Sequence, residues 1–516
     1  MSMTNHRNET KKTSINILCS IGVLITNLLV SFFLSPFIIR TIGVEANGFI
    51  NLANNFTTYA GLIVTALNAM AARFITFAYV NKDYQRANLY YNSVFWGNLI
   101  IVAVCLILSL LFIPNLPHFI NIPEHLLRDV QILFSLVFLG FFLKTGAPNW
   151  DCGTYLTNRL DRTYIPQMAT SLFRCCFFVA VFSVWIPRMW YISLCSLIIT
   201  IFLLGVEFYN THTLTPELKI SIKKPICSWP IIKELVGSGI WNSISCAGSM
   251  LLHSCDLLIC NLALGPTSMG LLSLSKTIPT IFVQLAESLR GAFGPELTIQ
   301  FATGDTDGML RVMKRAMKLT SVILTIPTAG ILVMSDLFYS LWVPSQNASL
   351  LHTLTILALM NYVLFSGIVI LYSVFTIANK VRYNSIAMMI SGALSIFITL
   401  TLVRFTDWDL YAIAGVSCIV GILRDLFFTI PISTRFIGLK WNTFYPQVAT
   451  SVLCSGIIVV IGLLVRAIIP VSSWITFFLA CGIIAILGLC ANMLIMLNKE
   501  ERHYLTMRLF SHHKEG

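Results

Sequence analysis

Charge is what this 516-residue chain has least of: Asp, Glu, Lys and Arg together make up 11% of it, against 56% hydrophobic residues and a mean hydropathy of +0.80. So little polar side chain cannot coat a soluble globule of this length, which excludes a soluble enzyme or binding module. Long polar segments are missing too. The longest polar connections, 211 to 233 and 301 to 318, are too short to fold alone, so no soluble domain is left over. The 14 cysteines lie mostly in apolar runs and include neither a Cys-x-x-Cys pair nor a His/Cys ligand spacing, so neither a metal site nor a disulfide framework is indicated. No small-x-small cleavage site follows the first apolar run, Ile15 to Ile39, and the run is too long for a signal peptide. It reads as an uncleaved first helix.

What is present, from end to end, is apolar runs long enough to cross a bilayer. The expected spans are 15–39, 46–72, 89–113, 126–156, 164–186, 190–210, 234–262, 268–297, 318–340, 350–378, 384–403, 410–433, 445–468 and 473–497, an all-α polytopic membrane protein of fourteen transmembrane helices. The net charge of +12 does not indicate nucleic acid, because most of the 34 lysines and arginines fall in alternate loops. Only Arg40, Arg128, Arg188, Arg404 and Arg466 fall in the other loops or at span ends beside them. This asymmetry puts both termini in the cytoplasm. Lys144, Arg174, Lys276, Arg290 and Arg424 remain inside spans.

A weak internal repeat divides the chain. Thr41-Ile-Gly-Val-Glu-Ala-Asn-Gly-Phe-Ile-Asn-Leu52 matches Ala263-Leu-Gly-Pro-Thr-Ser-Met-Gly-Leu-Leu-Ser-Leu274 at a displacement of 222, and Leu156-Thr-Asn-Arg-Leu160 matches Ile377-Ala-Asn-Lys-Val381 at 221. Six spans separate the copies, an even number, so the halves share one orientation across the membrane. The expected organisation is a cytoplasmic tail 1–12, an N-lobe 13–210 (spans 1–6), a linker 211–233, a C-lobe 234–435 (spans 7–12), spans 13 and 14 over 436–497, and a tail 498–516.

The stretch Leu251 to Arg290 reads as two antiparallel helices joined at Gly265-Pro266-Thr267, yet it carries His253, Asp256, Lys276, Glu287 and Arg290. An ionisable group at membrane depth costs at least about 2.5–3.5 kcal/mol, so it belongs in a protein interior or a wet cavity. Counting about 1.5 Å per residue from Gly265 puts Asp256 and Lys276 at one depth, near mid-bilayer. On an unbroken helix, 276, 287 and 290 fall within roughly 60° of one another. Two readings stand for these cations: ligands for an anionic cargo, or structural partners of Asp256 and Glu287. The interior also holds Asp151 and Asp425 against its five cations, leaving it mildly positive. Arg174 and Lys276, nearest the midplane, lead as ligands. Lys144 and Arg424 are expected to snorkel toward the span ends, and adjacent Arg424 and Asp425 to point about 100° apart and leave each other unsatisfied. Asp256, Glu287 and His253 are the groups whose protonation can couple transport to a proton or sodium gradient. Prolines 36, 148, 279, 295, 327 and 431 are expected to interrupt spans.

At Ser35-Pro-Phe-Ile-Ile-Arg-Thr-Ile-Gly43, Gly48-Phe-Ile-Asn-Leu52 and Ala71-Ala-Arg-Phe-Ile75 the chain resembles the polysaccharide and O-antigen flippases of the Wzx type. These belong to the MOP exporter superfamily, with the MATE multidrug exporters and the lipid II flippases. The resemblance implies a two-lobed, MATE-like transporter in the bacterial inner membrane. It would carry an undecaprenyl-pyrophosphate-linked oligosaccharide, of O-antigen or capsule type, from the cytoplasmic to the periplasmic leaflet by alternating access, coupled to an ion gradient. The partners implied are that lipid-linked glycan, membrane lipids, a glycan polymerase and a chain-length regulator. The cofactor would be none beyond a coupling H⁺ or Na⁺. A pyrophosphate needs fixed cations to replace its water inside hydrocarbon, which agrees with Arg174, Lys276 and Arg290 as ligands. The resemblance adds Arg73 as an entrance residue. Asn51 and Asn54, on the Asn-rich face of span 2, suit sugar hydroxyls or helix-to-helix contacts equally.

Other classes predict other sequences. A membrane glycan polymerase or ligase, an enzyme, needs a large external loop bearing catalytic His and Arg, and no outer loop here is long. A multidrug exporter of the same superfamily stops at twelve spans around an acidic cavity. A lipid II flippase shares the architecture and is the closest rival.

Overall fold

A computed structural model describes residues 3–150, 152–157, 159–221 and 228–496. Asp151 and the tail 498–516 lie outside the described residues. Among those described there is no strand, and fourteen helical segments are long and apolar enough to cross a membrane. They run Ile25–Ile42, Val44–Val80, Tyr84–Phe112, Glu124–Gly146, Asp161–Val184, Trp190–Leu214, Trp229–Leu264, Pro266–Gly291, Thr306–Trp342, Ala348–Ile368, Val381–Phe405, Asp409–Phe436, Tyr445–Ile468 and Trp474–Met496, spans 1 to 14 here. The protein is a multi-pass membrane protein.

Where the bounds differ from those expected, local chemistry accounts for it. Span 4 stops at Gly146 because Ala147, extended as a residue before proline must be, leads into Pro148. A separate short helix, Cys152–Leu156, follows. Span 9 starts at Thr306, well before 318, so part of the supposed polar connection is helix. Asp305 caps it by accepting from the Gly308 N–H at 2.8 Å. In these first turns Met309, Met313 and Met317 are buried while Arg311 and Arg315 stay exposed, a polar–apolar alternation that hydropathy alone reads as a loop. Pro36 and Pro327 lie within continuous helices and interrupt nothing.

The chain forms two compact units, residues 1–250 with 257–271, and 251–256 with 272–516. The repeated glycine motif belongs to the first unit and explains itself there. Gly43 and Gly265, the first glycines of the two copies, have φ of 103° and 86°, a backbone that L side chains rarely adopt, and each joins two helices through a single residue. Pro266 then opens span 8 at the position where its missing N–H is harmless. The second glycines face each other: a Cβ on Gly48 would lie 3.0 Å from the Gly270 Cα, and one on Gly270 would strike the Val44 carbonyl. Thr267 donates its hydroxyl to Glu45 Oε1 at 2.6 Å beside this contact. The first copy packs on the second.

Also in the first unit, the stretch after span 6 is strapped to the start of span 3. Asn88 and Asn92, one turn apart, use both ends of their side-chain amides on its backbone. The Lys219 N–H donates to Asn88 Oδ1 at 2.7 Å and the Ser221 N–H to Asn92 Oδ1 at 2.8 Å, while Asn88 Nδ2 donates to the Glu217 carbonyl and Asn92 Nδ2 to the Lys219 carbonyl. Tyr79 donates to the Glu217 carboxylate at 2.7 Å, which holds that carboxyl below its usual range. The second unit is built on a core of side chains from spans 8 to 10, 12 and 13 and from the segments that follow span 10 and precede span 13, among them Phe282, Met313, Leu371, Ile430 and Phe444.

Candidate functional site

The parts of spans 7 and 8 that belong to the second unit, 251–256 and 272 onward, each contain a break where their charges lie. Span 7 consists of Trp229–His253 and Cys255–Leu264, span 8 of Pro266–Ser275 followed by a helix from Thr277 to Thr303. Pro279 has no N–H for the Ser275 carbonyl, which accepts from Thr355 Oγ1 at 3.3 Å instead. Lys276 sits at this break. Its ammonium reaches the other break, donating to the His253 carbonyl at 2.8 Å and to Asp256 Oδ2. Asp256 is 3% exposed, so the pair lies in a low-dielectric surround. The equal depth expected for 256 and 276 corresponds to a direct ion pair. Such a pair can be opened in two ways, by a proton on the carboxylate or by an anion that competes for the ammonium.

The three residues expected on one face, 276, 287 and 290, do not share a partner: Lys276 pairs with Asp256 across the turn. Lys276 is the residue immediately before the helix that carries the other two. Glu287 and Arg290 pair with each other one turn apart, both partly exposed. His253 is exposed, and it lies within electrostatic reach of Lys276 and Arg424.

Arg424 and Asp425 correct the sequence reading more sharply. Arg424 does not snorkel: its side chain is 6% exposed, and Asp425 is fully buried. Its Nε and Nη2 donate to Asp425 Oδ1 at 3.1 and 3.0 Å, although the residues are adjacent. Two features make this possible. The arginine stem is long enough to curl back, and from Asp425 to Thr429 span 12 opens into a π turn ahead of Pro431. Tyr372, Thr429 and Arg424 all donate to the same carboxylate oxygen, Oδ1, leaving Oδ2 without a hydrogen-bond partner. The signal in the sequence is Pro431, six and seven residues beyond two charges in an apolar run.

The first unit holds Arg174, midway along span 5. The residue is half-buried, makes no ion pair among the described residues, and its Nε is buried without a hydrogen-bond partner. Cys195 of span 6 lies within its electrostatic reach. Arg73 is exposed in the short helix Ala71–Val80, beyond a break in span 2. Asn51 donates to the Asn47 carbonyl one turn back at 3.0 Å, and Asn54 is exposed. No cluster of three or more His, Cys, Asp or Glu suited to a metal ion occurs among the described residues.

No protein-family model matches the chain. It is 25% identical over 505 residues to a protein of Bacillus subtilis (strain 168) described as the uncharacterized membrane protein EpsK, a match covering 96% of this chain and 98% of that one. Among solved structures it resembles the lipid II flippase MurJ in an inward closed conformation, with a TM-score of 0.63, 15% identity, and coverage of 92% of this chain and 98% of that one. It also resembles an inward-facing multidrug resistance MATE transporter of the MOP superfamily (TM-score 0.59, 11% identity, 83% and 98% covered) and the MATE multidrug transporter DinF-BH (TM-score 0.59, 15% identity, 81% and 96% covered). With fourteen apolar helices and this path through space, the chain has the fold shared by MurJ and the MATE transporters of the MOP superfamily.

Proposed function

We propose that the protein is a flippase that moves an undecaprenyl-pyrophosphate-linked oligosaccharide from the cytoplasmic to the outer leaflet of the cytoplasmic membrane by alternating access. The observation that carries this reading is Arg174, a cation inside a membrane span with no counter-ion among the described residues. A permanently charged guanidinium left unpaired at that depth is strongly disfavoured unless an anion visits it. A planar fork of donors suits a pyrophosphate better than it suits a cationic drug. The likeness in fold to a lipid II flippase supports a lipid-linked cargo, and lipid II itself is the second reading.

In this scheme Arg174 is the fixed ligand and Lys276 a conditional one. Lys276 binds the cargo anion when protonation or a sodium ion takes Asp256 out of the pair, which couples uptake of the coupling ion to capture of the cargo. Asp256, with Glu287 and His253 as auxiliaries, then carries the coupling, and Arg290 and Arg73 guide the headgroup. Asn51 and Asn54 offer amides to sugar hydroxyls. A glycan polymerase and a chain-length regulator would act on the product in the outer leaflet.

The test is leaflet-resolved export of lipid-linked glycan in cells carrying Arg174→Ala, Arg174→Lys or the wild-type chain at equal membrane levels. Arg174→Ala should lower export by at least about tenfold, with partial recovery in Arg174→Lys, which keeps the charge and loses the fork. Undiminished export by Arg174→Ala would end this reading. Rescue of cells depleted of their lipid II flippase would move the cargo to lipid II.

A further inference from the structure

Among the described residues, each unit contains an apolar groove between two neighbouring spans, and these two grooves occupy equivalent places in the repeat. In the first unit the groove lies between spans 5 and 6, encloses about 290 Å³, and is lined in part by Thr170, Phe173, Ile199 and Phe202. In the second it lies between spans 11 and 12 and encloses about 340 Å³. The repeat displacement of 221 carries those four residues onto Ser391, Leu394, Val420 and Leu423, all of which line the second groove. Two halves this diverged in sequence thus line a groove from the same four positions. They differ in charge: the position of Leu203 in the first half is that of Arg424 in the second, and Arg424 lines its groove.

We propose that the groove between spans 11 and 12 binds a polyisoprenyl phosphate, with the hydrocarbon chain along the apolar wall and the phosphate on Arg424. This rests on the lipid-linked cargo argued above and assigns that cargo a second contact, in span 12. Arg424 itself lines the groove; its Nε and Nη2 are engaged by Asp425 and Tyr372, but among the described residues Nη1 meets only the Met388 thioether, a weak acceptor. A phosphate oxygen is the stronger partner for that donor. Depth selects the occupant. Met388 lies seven residues into span 11, about 10 Å from its end at Val381, whereas a resting bilayer lipid keeps its phosphate at the interface. Only a lipid whose headgroup leaves the interface brings its phosphate to Arg424. The first groove, with no charged lining residue, holds chain alone.

Binding of undecaprenyl phosphate, undecaprenol and inorganic phosphate to the purified full chain, read by native mass spectrometry, tests this. Undecaprenyl phosphate should bind at least about tenfold more tightly than either other probe. Ala387→Phe, which fills the groove without touching the charges, should remove that advantage. So should Arg424→Gln paired with Asp425→Asn, a double change that leaves no buried charge unpaired. Melting temperatures near wild type exclude misfolding. Equal binding of undecaprenol, or unchanged undecaprenyl phosphate binding in folded Ala387→Phe, overturns the proposal. Groove-dependent binding without export refutes the flippase reading and leaves the groove assignment standing.

Discussion

Lys276 with Asp256 and Arg424 with Asp425 are two answers to one problem, a charge held where water is scarce. Neither pair is a source of net stability, since removing two ions from water offsets most of their attraction. Each is a device for tolerating charge, and removing one partner is what exposes the penalty. Lys276→Met alone should therefore destabilise the second unit by about 3–5 kcal/mol, because Asp256 is left buried and unpaired. Lys276→Met with Asp256→Leu should recover most of that loss. Thermal unfolding of the single, double and wild-type proteins in one detergent measures it, and a double variant no more stable than the single would mean that the pair is not the relevant interaction. The first pair was legible before folding because the turn at Gly265 fixes both depths. The second was not, because the helical wheel places neighbours about 100° apart and takes no account of a long side chain beside a π turn.

The repeated Gly-x4-Gly motif shows how a helix pair is specified by what is absent from it. Its first glycine supplies a positive φ between two consecutive helices, and its second removes the Cβ that would keep span 2 and span 8 apart. Gly270→Ala should therefore destabilise the first unit by about 1–3 kcal/mol, since the obstacle is the Val44 backbone carbonyl and no side chain can move aside to accept it. Gly291→Ala, a control with open space around the site, should be neutral or slightly stabilising. Unfolding midpoints compare the two, and equal behaviour would contradict the packing described. The spacing was readable in the sequence as a repeat, but not its meaning: a self-match does not say that one copy rests on the other. The asparagine strap was invisible for a related reason, since Asn88 and Asn92 become a strand-like edge only when the linker backbone is laid beside them.

Across the molecule, span count and charge asymmetry make one joint prediction. Span 9 separates Thr303 from Ser345, so a cysteine at 303 should react with a membrane-impermeant maleimide only from the cytoplasmic side, and one at 345 only from outside, in a background without native cysteines. Labelling of both from one side would remove a span. The membrane class, the fourteen spans and the equal depth of Asp256 and Lys276 follow from the sequence alone, because hydrophobic length, loop charge and helical rise act locally and need no knowledge of neighbours. The breaks at Ser254, Lys276 and Asp425, the burial of Arg424, the contact of Gly48 with Gly270 and the matched grooves needed the tertiary structure. Each depends on which atoms the rest of the chain brings alongside, and inside a membrane it is those neighbours, rather than water, that decide whether a charge or a bare backbone group can stay.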